Sequence, residues 1–307
     1  MSKQKYSIPS HLKITDGSKF SLSHFDPNEK LGYTHHTAKK RLRDCIEKLT
    51  VLQEKLAAHA SQGILIVLQG MDTSGKDGAI RHAFSGLNPQ GLHVVSFKTP
   101  AGPEAKRDDL WRIHLALPAY GEITIFNRSH YEDVLVTRVH PDIMRARNLN
   151  PDTPHFWQKR LTDLKNFEAY LSHQNIHIIK IFLNISKDEQ KKRLLKRLDQ
   201  PEKRWKFSSS DLAERSYWES YQSAYENAIQ ATSTEEAPWY VVPANHKWLA
   251  RLITAEALLE KLEALHLSPP ETKLSKELTH AKAQLLSQGK AKSQEKTNAT
   301  KKAVSNS

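Results

Sequence analysis

Ile64-Leu-Ile-Val-Leu-Gln-Gly-Met-Asp-Thr-Ser-Gly-Lys-Asp-Gly78 organises the chain. Its apolar, β-branched start, Ile64 to Leu68, reads as a buried parallel strand. Gly70 ends that run, and Gly75-Lys76 follows at the spacing of a phosphate-binding loop. The next segment, Ala79-Ile-Arg-His-Ala-Phe84, is helix-compatible, so the loop has the strand-before, helix-after context that such a motif requires. Glycines let backbone N–H groups converge on phosphate oxygens, the helix N-terminus adds partial positive charge, and Lys76 adds a mobile full charge. Gly70, Thr73, Ser74, Gly75, Lys76, Asp77 and Gly78 are therefore the candidate phosphate cradle. The bland alternative is a Gly-rich turn with a chance lysine. Two acids depart from the usual pattern: Asp77 stands where a Ser or Thr normally holds Mg²⁺, and Asp72 lies inside the loop.

Outward from the loop, strands alternate with helices. Strands are expected at Leu92–Phe97, Glu122–Phe126, Ile176–Leu183 and Trp239–Pro243, and helices at 37–60, 104–117, 156–172, 188–198 and 248–265. This alternation predicts an α/β fold, a parallel sheet covered on both faces, with ligands at the carboxyl ends of the strands. Residues 1–30 read as polar and irregular, and the helix after them carries a leucine stripe at 42, 49, 52 and 56 that reads as packing. The expected organisation is an N-terminal extension with a packing helix at 1–60, a phosphate-loop domain at 61–267 with a lid at about 200–218, and a basic, mostly disordered tail at 268–307. A short helix is expected near Lys273–Leu286 within that tail.

The chain has 307 residues, enough for one substantial core plus appendages. It has no apolar run of about 18 residues and its N-terminus is polar, which argues against a membrane span or a secretory signal. Its single cysteine, Cys45, forms no internal disulfide and fits a reducing, cytoplasmic setting. The net charge is +12, of which +5 lies between Ser268 and Ser307, leaving +7 on the body. A basic balance favours a polyanionic partner.

Two further clusters carry chemistry. Asn127-Arg-Ser-His-Tyr-Glu-Asp133 follows a buried strand, the place where nucleotide-binding folds keep a metal acid. Here the first position is Asn127. Arg128 has the fork geometry for two phosphate oxygens, and Glu132 and Asp133 follow, although acids at a helix start also simply match the helix dipole. His130 shows no orienting acid pattern that would make it a phosphoryl carrier. The segment 201–218 interleaves Lys203, Arg204, Lys206 and Arg215 with Trp205, Phe207, Tyr217 and Trp218. It describes a lid that drops cations onto a phosphate chain, a single-stranded nucleic-acid surface, or a solvated basic helix. In the basic helix Lys191-Lys-Arg-Leu-Leu-Lys-Arg197, one arginine is placed to reach phosphate and the rest of the charge reads as solvated.

With these residues in view the chain resembles the polyphosphate kinase 2 family. The matching stretches are Gly70–Gly78, Leu110-Trp-Arg-Ile-His114, Phe126–Val134, Lys203-Arg-Trp-Lys-Phe-Ser208 with Asp211 and Arg215, and Trp239–Trp248. The similarity spans roughly residues 20–265 in the expected order. It implies a P-loop kinase fold related to thymidylate kinase, a three-layer α/β/α arrangement with a helical lid. It also implies reversible, Mg²⁺-dependent phosphoryl transfer between inorganic polyphosphate and nucleoside mono- or diphosphates, with Mn²⁺ as a substitute cation. Many members have Asp-Arg-Ser-Trp-Tyr where this chain has Asn127-Arg128-Ser129-His130-Tyr131. That version resembles the class III branch, associated with phosphorylating both AMP and ADP. The resemblance further implies a homodimer or homotetramer, and neither nucleic acid nor membrane as partner.

On this reading the catalytic residues are Asp72, Lys76, Arg128 and Asn127. Asp72, with Glu132 and Asp133, would hold the metal, and Asp72, Asn127, Arg128, Glu132 and Asp133 would face the nucleotide. Arg81, Lys98, Arg112, Lys203, Arg204 and Arg215 join the loop as cations for the phosphate chain. An ATP-dependent nucleoside monophosphate kinase is the competing reading on the same fold, and a nucleic-acid binder using the basic aromatic segment is a third.

Overall fold

The P-loop strand occupies the middle of the sheet. The computed structural model describes residues 8–206, 209–268 and 278–287. Its strands are β1 (Lys13–Ile14), β2 (Gly63–Gln69), β3 (Leu92–Ser96), β4 (Ile123–Asn127), β5 (Ile176–Asn184) and β6 (Trp239–Pro243). They form one sheet in the order β1-β6-β5-β2-β4-β3. The β3–β4, β4–β2, β2–β5 and β5–β6 pairs are parallel, and only the short β1 runs antiparallel, along β6. The chain leaves β2 for the edge strand β3, returns to β4, then crosses β2 to reach β5. That crossing makes a crevice at the carboxyl end of β2, where open parallel sheets bind ligands.

The helices are α1 (His35–His59), α2 (Lys76–Ala83), α3 (Trp111–His114), α4 (Glu132–Val139), α5 (Asp142–Ala146), α6 (Phe156–His173), α7 (Lys187–Asp199), α8 (Ser209–Ser216), α9 (Trp218–Thr232) and α10 (Lys247–Ala264). Helices α1, α2 and α10 pack together, α4, α6 and α9 form a second group, and the sheet completes the α/β/α fold expected from the sequence. Every residue of β2 and β6 is buried, as is all of β5 but His177, so these strands read as mostly apolar runs. Helix α1 begins with a reciprocal capping box between Thr34 and Thr37 and ends at Ala60 in the left-handed region.

Three local readings change. Residues before Lys30 are not merely irregular: Ile8, Leu12, Phe20 and Leu22 are buried, and β1 extends the sheet. Side chains from the body hold this segment, since Glu226 accepts from Leu22 N–H, Gln230 donates to Phe20 C=O and Asn184 donates to Phe25 C=O. A few anchors in a polar stretch leave no periodicity to read. The helix expected at 104–117 is reduced to a 3₁₀ turn at Glu104–Lys106 and the single turn of α3. Asp108 accounts for the break, because its carboxylate accepts the Leu110 N–H and so offers the backbone an alternative to helix. Finally α9, absent from the sequence reading, buries Trp218, Tyr221, Ala224, Tyr225, Ala228, Ile229 and Thr232 at three- and four-residue spacing.

The chain divides into two units, residues 1–268 and 269–307. In the second, residues 278–287 are helical, overlapping the helix expected there; the remainder of the expected disordered tail lies outside the described residues.

Candidate active site

The loop after β2 is built as a phosphate loop must be. Gly70 has φ +151° and Gly75 φ +107°, and a Cβ on Gly70 would meet Ser74 Oγ at 2.7 Å and the Leu183 carbonyl at 3.0 Å. Both positions therefore need glycine. Thr73 takes φ +65° without being glycine, a strained backbone of the sort that accumulates at functional sites. Gly78 by contrast is an ordinary helical residue, with only Arg251 near the position of a Cβ.

Lys76 begins α2 and folds back over the loop, donating to the Gly70 carbonyl at 2.6 Å. Burial holds its pKa below that of an ordinary lysine, against the pull of Asp72. The Thr73 and Ser74 hydroxyls are buried without a hydrogen-bond partner, and so is Gln69 Oε1 at the end of β2. Unpaired buried polar atoms are costly, and three at one strand end mark a place that a ligand completes.

The register places the second cluster opposite the loop. Leu68 of β2 pairs with Asn127 of β4, and Arg128 N–H donates to the Leu68 carbonyl at 3.2 Å. Arg128 has φ +64°, which turns its side chain out of the strand, and its guanidinium lies 3.3 Å from Asp72 Oδ1. With 46% of its side chain exposed, Arg128 remains free to meet substrate. Burial works against its charge, but Glu132 and Asp72 outweigh it and raise the pKa further. Asn127 Nδ2 donates to Asp77 Oδ1 at 2.9 Å, tying β4 to the first turn of α2. Burial raises the Glu132 pKa, opposed by Arg128 and Lys76, so Glu132 belongs to this group too.

Other sequence candidates lie elsewhere. Asp133, next to Glu132, is buried and pairs with Arg147 at 3.2 Å, while Asp109 binds both Arg147 and Arg160. Burial first, then Asp109, pushes Asp133 up to about 6. Arg112 is buried and donates to the Lys98 carbonyl at 2.6 Å, stacking its charge over Phe97. Lys98 is exposed after β3, and Arg81 is exposed on α2. Arg204 donates to the Leu198 carbonyl at the end of α7, and Arg215 donates to the Lys187 carbonyl and to Gln190 Oε1, both at 2.8 Å. The Lys203 side chain lies outside the described residues.

Several residues that shape the site escaped the sequence reading. Arg193 of α7 is 6% exposed and donates to the carbonyls of Thr73, Ser74, Ala244 and Asn245. The sequence allowed one arginine of this basic helix, not specified, to reach phosphate; Arg193 instead braces the loop through its backbone carbonyls. Tyr225 of α9 is buried, and burial, with the charges of Glu132 and Asp72, raises its hydroxyl pKa well above normal. Behind the Arg128 turn lies a polar cluster of zero or near-zero exposure. Lys180 of β5 donates to Glu168 at 2.5 Å and to the Thr232 carbonyl at 2.6 Å, and Tyr131 donates to Glu168 at 2.8 Å. His130 Nε2 lies 3.4 Å from the same carboxylate. Burial would raise the Glu168 pKa, but Lys180 and His130 outweigh it and hold it below normal. The legible signal for this cluster was Lys180, a lysine in the middle of a mostly apolar strand.

A divalent cation fits this donor set. Mg²⁺ is usually bound by one or two carboxylates together with substrate phosphates, not by an all-protein cage. Asp72 and Glu132 beside Lys76 offer that many carboxylates, and the described residues include no cluster of three or more metal-ligating side chains.

Residues 33–269 match the profile of the family described as Polyphosphate kinase 2. An ADP-polyphosphate phosphotransferase of Rhodopseudomonas palustris is 48% identical over 284 residues, 90% of this chain and 97% of that protein. An AMP/ADP-polyphosphate phosphotransferase of Meiothermus ruber is 45% identical, covering 86% of this chain and 97% of the other. The crystal structure of polyphosphate kinase 2 from Arthrobacter aurescens superposes with a TM-score of 0.81 at 42% identity, over 88% of this chain and 94% of that one. With its phosphate loop, its opposed Asp72–Arg128 pair and these relatives, the chain belongs to the polyphosphate kinase 2 family.

Proposed function

We propose that this protein is a polyphosphate-dependent nucleotide kinase that moves phosphoryl groups reversibly between inorganic polyphosphate and nucleoside mono- or diphosphates. The observation that carries it is the loop itself: unpaired Thr73 and Ser74 hydroxyls and a folded-back Lys76 on one side, Asp72 and Arg128 facing each other on the other.

Transfer is direct. An oxygen of the acceptor phosphate attacks the terminal phosphorus of the chain; the bridging P–O bond breaks, and its electron pair stays on the shortened polyphosphate. A phosphate oxygen is already ionised near neutral pH, so positioning and charge neutralisation dominate over base catalysis. Lys76 swings from the Gly70 carbonyl to the phosphates at the transfer point. Arg128, on its left-handed turn, neutralises charge on the transferring group from the opposite side. Asn127 holds Asp77 at the α2 N-terminus, so that carboxylate stands in place of the usual loop hydroxyl. Asp72 and Glu132 would hold Mg²⁺, with Mn²⁺ as a substitute, and the cation would offset phosphate charge. Asp133 is committed to Arg147 instead.

Residues 61–267 act as the kinase domain, with about 200–218 as a lid, and Arg81 and Lys98 serve as outer cations for the chain. Assembly as a homodimer or homotetramer belongs to the same reading, and light scattering tests it. The relatives named for ADP and for AMP/ADP are nearly equally similar, so the acceptor rests on the Asn127–Asp133 variant, which favours both AMP and ADP. The test is AMP or ADP incubated with Mg²⁺ and either polyphosphate or ATP, with products resolved by chromatography. ATP formed from AMP and polyphosphate is the expected result. ADP as the end product would restrict the acceptor to AMP, and transfer from ATP alone would favour the monophosphate kinase reading.

A further inference from the structure

A phosphate loop aims its N–H groups at the ligand, so its carbonyls need donors behind them. Here α7 supplies them. Gln190 Nε2 donates to the Asp72 carbonyl at 3.1 Å, and Arg193 Nη1 donates to those of Thr73 and Ser74 at 2.9 and 2.7 Å. The two side chains are three residues apart and so share one face of the helix. Arg193 is anchored at the end of β6 and to Glu189, a fixed brace. Gln190 is different. Its Oε1 accepts from Arg215 Nη1 at 2.8 Å, and Arg215 lies on α8, in the segment with the character of a lid.

Gln190 is 2% exposed, so both ends of its amide must be satisfied within the protein. The partners also set its orientation. A guanidinium only donates and a carbonyl only accepts, so a reversed amide would oppose donor to donor and acceptor to acceptor. One amide therefore joins α8 to the backbone of Asp72, whose carboxylate faces Arg128 and whose neighbour Thr73 carries the strained φ.

We propose that Gln190 is a positioning residue that couples α8 to the glycine loop, and that Arg215 acts on transfer through Gln190 rather than as a phosphate ligand. The proposal rests on the kinase reading above. When α8 is docked, Arg215 orients the amide and the amide fixes Asp72. When α8 lifts, Gln190 loses its acceptor-side partner and the loop loosens at the residue opposite Arg128.

A double-mutant cycle on the full chain tests it, with kcat and KM for polyphosphate measured for Gln190→Leu, Arg215→Leu and the pair. A misplaced loop lowers kcat by about 10-fold to 100-fold. Each single change should do so while leaving the polyphosphate KM within about threefold, and the double variant should be no worse than the poorer single one. Calorimetric titration with tripolyphosphate should give the same affinity for wild type and Arg215→Leu. Independent, multiplying effects, or a KM and tripolyphosphate affinity that weaken with Arg215→Leu, would make Arg215 a phosphate ligand and overturn the proposal. Gln190→Glu guards against misfolding: it keeps the acceptor for Arg215 and the side-chain shape but loses the donor to Asp72. A melting temperature near wild type with a kcat loss like that of Gln190→Leu is expected; wild-type kcat in this variant would also overturn the proposal. If wild type uses ATP and not polyphosphate, the donor assignment fails, and the same cycle run with ATP still decides the coupling.

Discussion

Asp72 and Arg128 face each other at 3.3 Å from the carboxyl ends of two adjacent parallel strands, one in the loop after β2 and one just past β4. Their side chains are 33% and 46% exposed, and ion pairs so open to water contribute little to stability. Substitution should accordingly separate activity from stability. Asp72→Ala and Arg128→Ala should each lower turnover by about 10²-fold or more while changing unfolding free energy by under about 1 kcal/mol. Turnover assays beside urea denaturation check both halves; a folded Asp72→Ala variant with normal turnover would remove its assigned role.

Lys76 offers a pH test. Burial holds its pKa below the ordinary 10.5, so the free enzyme loses this charge at a lower pH than a solvated lysine would. The kcat/KM for polyphosphate should fall on the alkaline side before that value is reached, because that ratio reports groups of the free enzyme. Lys76→Met should lose about 10²-fold in turnover and should lack this limb. A wild-type profile that stays flat through that range excludes the titration.

For Asp133 the sign concerns stability. Its folded pKa of about 6 lies above the reference 3.8, so between these values the folded state holds more protons than the unfolded one. Its contribution is most favourable below that window and is lost as pH rises through it. Asp133→Asn does not titrate, so the stability of the variant relative to wild type should rise between pH ~4 and ~7, by up to about 3 kcal/mol at 1.36 kcal/mol per unit. Urea unfolding at several pH values measures the difference, and a constant difference would remove Asp133 as the source.

The buried Lys180–Glu168 pair should behave as a unit. Removing one partner leaves an uncompensated charge in the core, so Lys180→Met or Glu168→Leu alone should cost about 3–5 kcal/mol. The double variant should recover a large part of that loss, since an apolar pair of similar volume removes both desolvation costs. Additive losses in chemical denaturation would show that the two do not couple.

Much of this architecture is legible locally. The apolar run of β2, the glycines at 70 and 75 and the lysine at 76 announce themselves by spacing alone, because a phosphate loop depends on backbone conformation and on one adjacent charge. Helix α9 repeats apolar residues plainly enough to have been read; β1 and the anchors at Leu12 and Phe20 do not, since they gain structure only by pairing with β6 and packing against distant elements.

Glu132 and Asp133 mark the boundary. In sequence they are two equivalent acids after one turn. On α4 consecutive side chains point about 100° apart, so one joins Lys76 and Arg128 while the other is buried with Arg147 and Asp109. A phosphate loop and its position were legible without the fold, because such a loop carries its own backbone geometry. Which charges stand beside it is a property of the fold, because the β2–β4 register and the packing of α7 and α9 choose among side chains that composition cannot tell apart.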